Sequence, residues 1–361
     1  MCFFRTTRDD APSTAVVRRI RRRGDRAQSW RDAERKCAHF SLATSNFSDT
    51  LQTMETVEPL GWHVILRLRD NRVITPDRAH RRAAVRALHR IAKRAKLLAF
   101  AIVDTHIHLL LLCERAAAGE IARRLEIAMS RHARLPVRFS PAFFKPVLEQ
   151  SHLSSAFYYI LGQLPKHGVS NDPVHEGTAI QDLLAARRLD DGMAGLVKAH
   201  LPRATREKML AKANLPAFGE VVDLSLLLES TAAAFALPDL RGRTQPTVRA
   251  RRAAVHAVLA RKAAGKAAGK AAGKAAAAPG APAPTASPSA ATLAAILGVS
   301  EQTIRSLHRT KCPPADVRAV RRQMALRYAV AHAPAPDPDA PDTTEPDDDI
   351  DPRWFTDADP S

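Results

Sequence analysis

Cysteine and tyrosine are scarce in this sequence, and long apolar runs are missing from it. The chain has four cysteines and three tyrosines among 361 residues. Cys2, Cys37, Cys113 and Cys312 show neither the spacing of a zinc knuckle nor a disulfide framework, so we expect reduced thiols. The sequence contains no stretch of about 18 apolar residues, the length that a membrane-spanning helix needs. The first segment is Arg-rich and lacks the apolar core of a signal peptide. We therefore expect a cytoplasmic protein with no membrane partner.

Acidic residues are too few to balance the basic ones. Lys and Arg total 55 against 37 Asp and Glu, which gives a formal net charge of +18. The segment 337–361 holds ten of the acids and a single Arg, so the residues before it are more basic still. This charge favours a polyanionic partner, because Lys and Arg that neutralise phosphates release counterions on binding. We therefore expect DNA as the partner and association with the nucleoid.

The composition of the chain changes several times along its length. A stretch rich in Arg, Ser and Thr is followed by a mixed region, a helical region, a Lys-Ala-Gly repeat, a pair of helices and an acidic end. The fold class that this predicts is α+β, with a sheet in the mixed region and a helical segment after a basic linker. The predicted boundaries are 1–57 for a poorly ordered extension, 58–185 for the mixed domain, 186–260 for the helical region, 261–290 for the linker, 291–332 for a helix-turn-helix and 333–361 for a disordered tail.

Strand and helix patterns alternate in the mixed region. Apolar residues at every second position from Trp62 predict a half-buried strand, with a basic outer face that includes Arg67 and Arg69. Thr75-Pro76-Asp77, with Thr75 as the N-cap, starts a helix that ends near Lys96. Beyond it we expect one central strand over 98–113 and helices around 121–129 and 151–164.

Polar residues of the central strand and of the 151–164 helix can carry chemistry together. His106 and His108 are two apart in a strand, so their imidazoles point to the same face and can share one metal. Tyr159 and Gln163 are four apart in a helix, so the phenol and the carboxamide lie on one stripe. That stripe faces either solvent or the histidines. Beside a metal-polarised phosphate, the tyrosine can act as nucleophile and keep the phosphodiester energy in a covalent bond.

The order of these motifs resembles that of the single-tyrosine HUH transposases, in particular the REP-associated tyrosine transposases. The resemblance covers about 60–185 and rests on Trp62-His63-Val64, His106-Ile107-His108, Tyr159-Ile160 with Gln163, and Lys166-His167-Gly168-Val169. It implies a ferredoxin-like antiparallel sheet with helices and a Mg or Mn ion held by His106, His108 and Gln163. It also implies a transposase-like endonuclease and strand transferase, in which Tyr159 forms a 5′-phosphotyrosine on single-stranded DNA near a hairpin. Tyr158 is the reserve nucleophile.

Two other functions stay open. A domesticated relative would bind DNA without catalysis, and Phe143-Phe144-Lys145-Pro146 stands where the family carries a Trp-Gln element. The run from Val103 to His108 also resembles the first-strand motif of metal-dependent amidohydrolases, whose barrel needs more strands than the rest of the sequence shows. We interpret His63, His152 and His167 as surface or DNA-facing groups without a catalytic role.

Contacts to DNA are expected from several basic surfaces. Besides the first strand, Lys166 follows the tyrosine helix, and the helix around 121–129 carries an arginine stripe. Near the C-terminus, a turn at Gly298-Val299 and an N-cap at Ser300 predict a helix-turn-helix that binds duplex DNA. Whether the chain acts as a homodimer is left open. The DNA-facing residues predicted on these helical surfaces are Arg123, Arg124, Arg131, Gln302, Arg305 and Arg309.

Overall fold

The structure is a computed structural model that describes most of the chain after residue 57. The described residues are 58–70, 72–93, 95–132, 138–189, 192–259 and 288–334. The predicted N-terminal extension lies outside them, as do nearly all of the predicted linker and the predicted tail.

The fold is mixed α+β, as the sequence predicts, and its centre is a four-stranded antiparallel sheet. The strands are β1 (Gly61–Arg67), β2 (Lys96–Ile102), β3 (His106–Leu112) and β4 (Phe143–Val147). They lie in the order β2-β3-β1-β4, so that β1 and β3 are the central pair. The edge of β2 is partly covered, because the nitrogen of Ala179 donates to the carbonyl of Phe100 at 2.9 Å.

Helices cover both faces of this sheet. Apolar residues on one face, among them Val64, Leu66 and Leu109, are fully buried. Helices α1 (Arg78–Ala92) and α2 (Arg115–His132) lie on that face and contact each other. On the other face, α3 (Gln150–Leu161) packs against β2 and β3. Burial on both faces leaves little of the sheet exposed to water, in contrast to the half-buried strand that alternation from Trp62 predicts.

Three local predictions for this region are wrong, and one strand was not predicted. The N-cap of α1 is Asp77 and not Thr75, since the Asp77 carboxylate accepts from the nitrogen of His80 at 2.9 Å. The helix ends at Ala92, and Lys96 begins β2. The single strand predicted over 98–113 is two strands joined by a turn, in which the nitrogen of Val103 donates to the carbonyl of His106 at 3.0 Å. The strand that was not predicted is β4, which contains Pro146; β4 is an edge strand, where a proline is tolerated.

The remaining helices follow α3 in the chain. A second core cluster is built mainly by the helices from 227 onward. The turn predicted at Gly298 and the N-cap predicted at Ser300 are both present: Gly298 has a φ of 61°, and Ser300 accepts from the nitrogen of Thr303. The helices are α4 (Gln163–His167), α5 (Ile180–Leu183), α6 (Met193–His200), α7 (Arg206–Lys212), α8 (Leu227–Ala234), α9 (Gln245–Leu259), α10 (Ala290–Leu297), α11 (Glu301–Arg309) and α12 (Pro314–Ala331).

Buried polar contacts join α12 to the sheet-bearing part of the chain. The Arg327 guanidinium pairs with the Glu176 carboxylate, and both side chains are almost fully buried. The Gln323 amide donates to Gln181 at 2.6 Å. Glu176 also accepts two hydrogen bonds from Arg82 of α1, at 2.6 and 2.9 Å. None of the described helices is long and apolar enough to cross a bilayer.

Candidate active site

The histidine pair of β3 lies on the face of the sheet that α3 covers. His106 is opposite Arg67 in β1, and His108 is opposite Ile65. Directly opposed residues of antiparallel strands share a face, so all four side chains point to the same side. The two imidazole centroids are 4.7 Å apart, which is the side-by-side arrangement that the two-residue spacing predicts.

A third histidine, His63 of β1, belongs to the same cluster. Its Nε2 lies 3.0 Å from Nδ1 of His108, and the two rings are stacked with centroids 5.2 Å apart. His63 is 5 % exposed, so the interpretation of this residue as a surface group is wrong. The reason is that α3 covers the strand face that alternation assigned to solvent. His152 of α3 is also buried, whereas His167 is exposed as predicted.

A signal for the burial of His63 was present in the sequence. Ala99 and Ala101 alternate in β2, and Ala101 is opposite His108, so both small side chains lie on the histidine face. Small residues in a strand leave room for a helix to approach. That pattern predicts a covered face, and a histidine on a covered strand has to find a polar partner.

Tyr159 approaches this cluster from α3. Its ring lies edge-on to His63 and to His108, with centroid distances of 5.8 and 5.7 Å. The ammonium of Lys166 is 5.3 Å from the centre of the Tyr159 ring. Tyr158, the reserve nucleophile, instead contacts Phe157 with centroids 5.2 Å apart. Of the two tyrosines, it is therefore Tyr159 that the fold brings to the histidines.

Gln163 lies next to Tyr159, as its four-residue offset predicts, although the helix is interrupted between the two residues. Helix α3 ends at Leu161, and Gln163 is the first residue of α4. Its Nε2 still donates to the Tyr159 carbonyl at 3.1 Å. Its Oε1 accepts from Nε2 of His167 at 3.2 Å, and the His167 ring is 4.9 Å from that of His106. The buried carboxamide is thus linked to the histidine pair through His167.

The cluster is uncharged at neutral pH. Burial, followed by the charge of neighbouring cations, lowers the pKa of His63 and of His106 to about 3. Burial also holds the pKa of His108 well below its usual value, and the neighbouring histidines add to that effect. Burial raises the pKa of Tyr159, and a hydrogen bond from Gln163 opposes the rise. Neutral imidazoles offer a lone pair, which is the form that binds a metal.

One atom of the cluster is a fitting metal donor. Nε2 of His108 is buried and has no hydrogen-bond partner among the described residues. Such an orphaned nitrogen is stabilised by a bound cation, and imidazole nitrogen with amide oxygen suits a divalent ion. Among the described residues, no group of three or more His, Cys, Asp or Glu is arranged to hold a metal. A metal here would therefore depend on Gln163 as a non-ionic third ligand.

The predicted DNA-binding residues divide into those near the cluster and those far from it. Arg67 lies opposite His106, and Lys166 lies beside Tyr159. The others are exposed but lie elsewhere. Arg123 is paired with Glu120 on α2, across the sheet from the histidines. The distant set is Arg69 beyond the end of β1, Arg123, Arg124 and Arg131 on α2, and Gln302, Arg305 and Arg309 on α11.

Comparison with known proteins does not assign the chain to a family. No protein-family model, no curated protein and no solved structure matches it. Fold alone does not fix function, so the function has to be inferred from the chemistry of the site.

Proposed function

We propose that the chain is a metal-dependent transesterase acting on single-stranded DNA, similar to the single-tyrosine HUH transposases, and that its sheet domain is ferredoxin-like. The order strand, helix, strand, strand, helix, strand supports the second part, because a split βαβ unit places its first and third strands at the centre of the sheet. The same order argues against the amidohydrolase alternative, which needs a closed parallel barrel.

The observation that carries the proposal is the meeting of a tyrosine with a neutral histidine pair. Tyr159 comes from α3 and His108 from β3, yet their rings are 5.7 Å apart in a mostly buried cluster. The pair carries the orphaned Nε2 atom of His108. A Mg or Mn ion would therefore be held by His106, His108 and Gln163. Bound there, the ion would supply Lewis-acid stabilisation of charge on the phosphate.

The proposed reaction is a transesterification. The Tyr159 oxygen attacks the phosphorus, a bond forms between that oxygen and phosphorus, and the bond from phosphorus to the 3′ oxygen breaks. The phenol proton ends on the 3′ oxygen, which leaves as a hydroxyl. Arg67 and Lys166 supply positive charge at the edges of the cluster, where it attracts the phosphates of the DNA strand.

A DNA-binding function without catalysis is the second candidate, and one observation favours it. The Gln163 oxygen accepts a hydrogen bond from His167, so it has to exchange that bond before it can act as a ligand. Losing such a hydrogen bond costs about 1 kcal/mol. A bond from Gln163 to a metal would offset that cost, whereas in a chain that binds no metal Gln163 would keep its hydrogen bond to His167. The exposed residues of α11, Arg305 and Arg309 among them, would bind duplex DNA in either case.

A covalent-adduct assay separates the two candidates. The full chain is incubated with 3′-labelled single-stranded hairpin DNA and Mn²⁺, and the products are run on a denaturing gel. We expect a labelled conjugate that Tyr159→Phe abolishes and EDTA prevents. Tyr158→Phe is the matched control, because it removes a neighbouring phenol that contacts Phe157, and it should leave the conjugate in place. DNA binding without any conjugate would favour the non-catalytic candidate.

A further inference from the structure

The hydrogen bond between His63 and His108 fixes where the protons of the two rings lie. Both rings are buried, and the bond joins Nε2 of His63 to Nδ1 of His108 at 3.0 Å. One nitrogen of the bond therefore donates and the other accepts. Each neutral imidazole carries one N–H, so the direction of this bond decides the state of Nε2 of His108.

The two directions have different consequences for that atom. If His63 donates, His108 must carry its proton on Nε2, where no acceptor lies among the described residues. A buried N–H without an acceptor costs about 1–3 kcal/mol, and it cannot bind a metal. If His108 donates through Nδ1, its Nε2 becomes a lone pair without a proton. Buried acceptors without a partner are more common in proteins than buried donors, so the second direction is favoured.

We propose that His63 is a positioning residue that holds His108 as the Nδ1–H tautomer and thereby makes Nε2 of His108 a ligand for a divalent cation. The inference rests on the proposed function for its choice of a divalent cation as the ligand. The hydrogen bond to His63 also fixes the orientation of the His108 ring. Loss of a residue that orients a metal ligand in this way typically lowers metal affinity about 10–100-fold, and we expect a loss of about that size here.

The placement of His63 supports this role. A buried strand position opposite Leu110 would ordinarily be filled by an apolar residue, because an uncharged but polar imidazole needs a partner. Lys145 of β4 lies opposite His63, and His152 of α3 interacts with it electrostatically. The polar ring therefore needs a partner at this buried position, and His108 supplies it.

Two substitutions test whether the acceptor on His63 matters. His63→Gln places an amide oxygen that can still accept from Nδ1 of His108, whereas His63→Leu removes the acceptor but fills the space. His89→Leu is the matched control, because His89 is a comparably buried histidine on α1, across the sheet. Mn²⁺ affinity is measured by calorimetry on the full chain with each substitution. We expect about 10–100-fold weaker binding for His63→Leu and nearly unchanged binding for His63→Gln and His89→Leu.

A second measurement reads the tautomer directly and does not depend on any variant of His63. Long-range ¹⁵N–¹H spectra of the metal-free wild-type chain distinguish a protonated Nδ1 from a protonated Nε2, and His108→Gln identifies the signals. We expect a proton on Nδ1 of His108. A proton on its Nε2, undetectable Mn²⁺ binding, or equal loss of affinity in His63→Gln and His63→Leu would overturn the proposal. Failure to form the DNA conjugate, with the expected tautomer and affinity, would contradict only the transesterase function.

Discussion

The sharpest stability prediction concerns Glu176, whose buried carboxylate joins α1 to α12. Arg82 and Arg327 both pair with it, and the Glu176 side chain is 3 % exposed. Burial alone would raise the pKa of Glu176, but the hydrogen bonds and charges of the two arginines outweigh burial and lower the pKa from 4.5 to about 2. Each pKa unit corresponds to about 1.4 kcal/mol, so the ionised carboxylate contributes on the order of 3 kcal/mol to stability.

The sign of the pH dependence follows from the direction of that shift. The pKa of Glu176 is lower in the folded state than in the unfolded one, so its contribution is complete above about pH 4.5 and is lost as the pH falls towards 2. Glu176→Gln removes the charge while keeping the shape. We therefore expect the variant to be less stable by about 3 kcal/mol near neutral pH, with a gap that shrinks by about 2 kcal/mol between roughly pH 6 and pH 3.

Urea unfolding at several pH values, followed by circular dichroism, measures that gap. Glu120→Gln is the control, because Glu120 forms an exposed ion pair with Arg123 on α2 and should change the stability very little at any pH. A gap that stays constant between roughly pH 6 and pH 3 would show that Glu176 acts through packing and not through its charge. A variant as stable as the wild type near neutral pH would refute the reasoning altogether.

Three further changes have expected outcomes. Mn²⁺ at about 100 times its dissociation constant should raise the free energy of unfolding by about 2.7 kcal/mol in thermal melts, and His108→Gln should abolish the increase. Asp77→Ala should cost about 1 kcal/mol in the same melts, because the Asp77 carboxylate caps α1 through the nitrogen of His80, whereas Asp77→Asn should cost less. Gly61→Ala should destabilise β1 by about 1–3 kcal/mol, since its Cβ would meet the Leu111 carbonyl oxygen at 2.4 Å, and an unchanged urea midpoint would contradict this.

The parts of the fold that the sequence predicts correctly are those with strong local patterns. The alternation from Trp62 finds β1, and the helix stop at Gly298 with the cap at Ser300 finds the joint between α10 and α11. The turn within 98–113 is missed, because Asp104-Thr105 was interpreted as polar residues inside a strand. The structure uses them as a turn, in which the carbonyl of Asp104 accepts from the nitrogen of Ile74 at 2.6 Å.

Long-range polar contacts explain what the sequence does not reveal about the core. Arg82, Glu176 and Arg327 are separated by scores of residues, and each would be expected at the surface when taken alone. For His63, the small residues of β2 indicate a covered face, but they do not identify its partner His108, which lies on another strand. No local pattern encodes such pairs, since each residue is buried only because the other is present.

The charge state of the cluster links the proposed metal to the proposed nucleophile. Burial raises the pKa of Tyr159, and the surrounding imidazoles are neutral, so without a cation the phenol stays protonated near neutral pH. Lys166 lies beside the ring, and burial and the charge of Lys212 lower the pKa of Lys166. A divalent ion at the orphaned nitrogen of His108 would supply the positive charge that favours a phenolate. In the proposed mechanism, metal binding and nucleophile activation are therefore one requirement, and a chain that lost the third ligand would lose both together while keeping its fold and its proposed affinity for DNA.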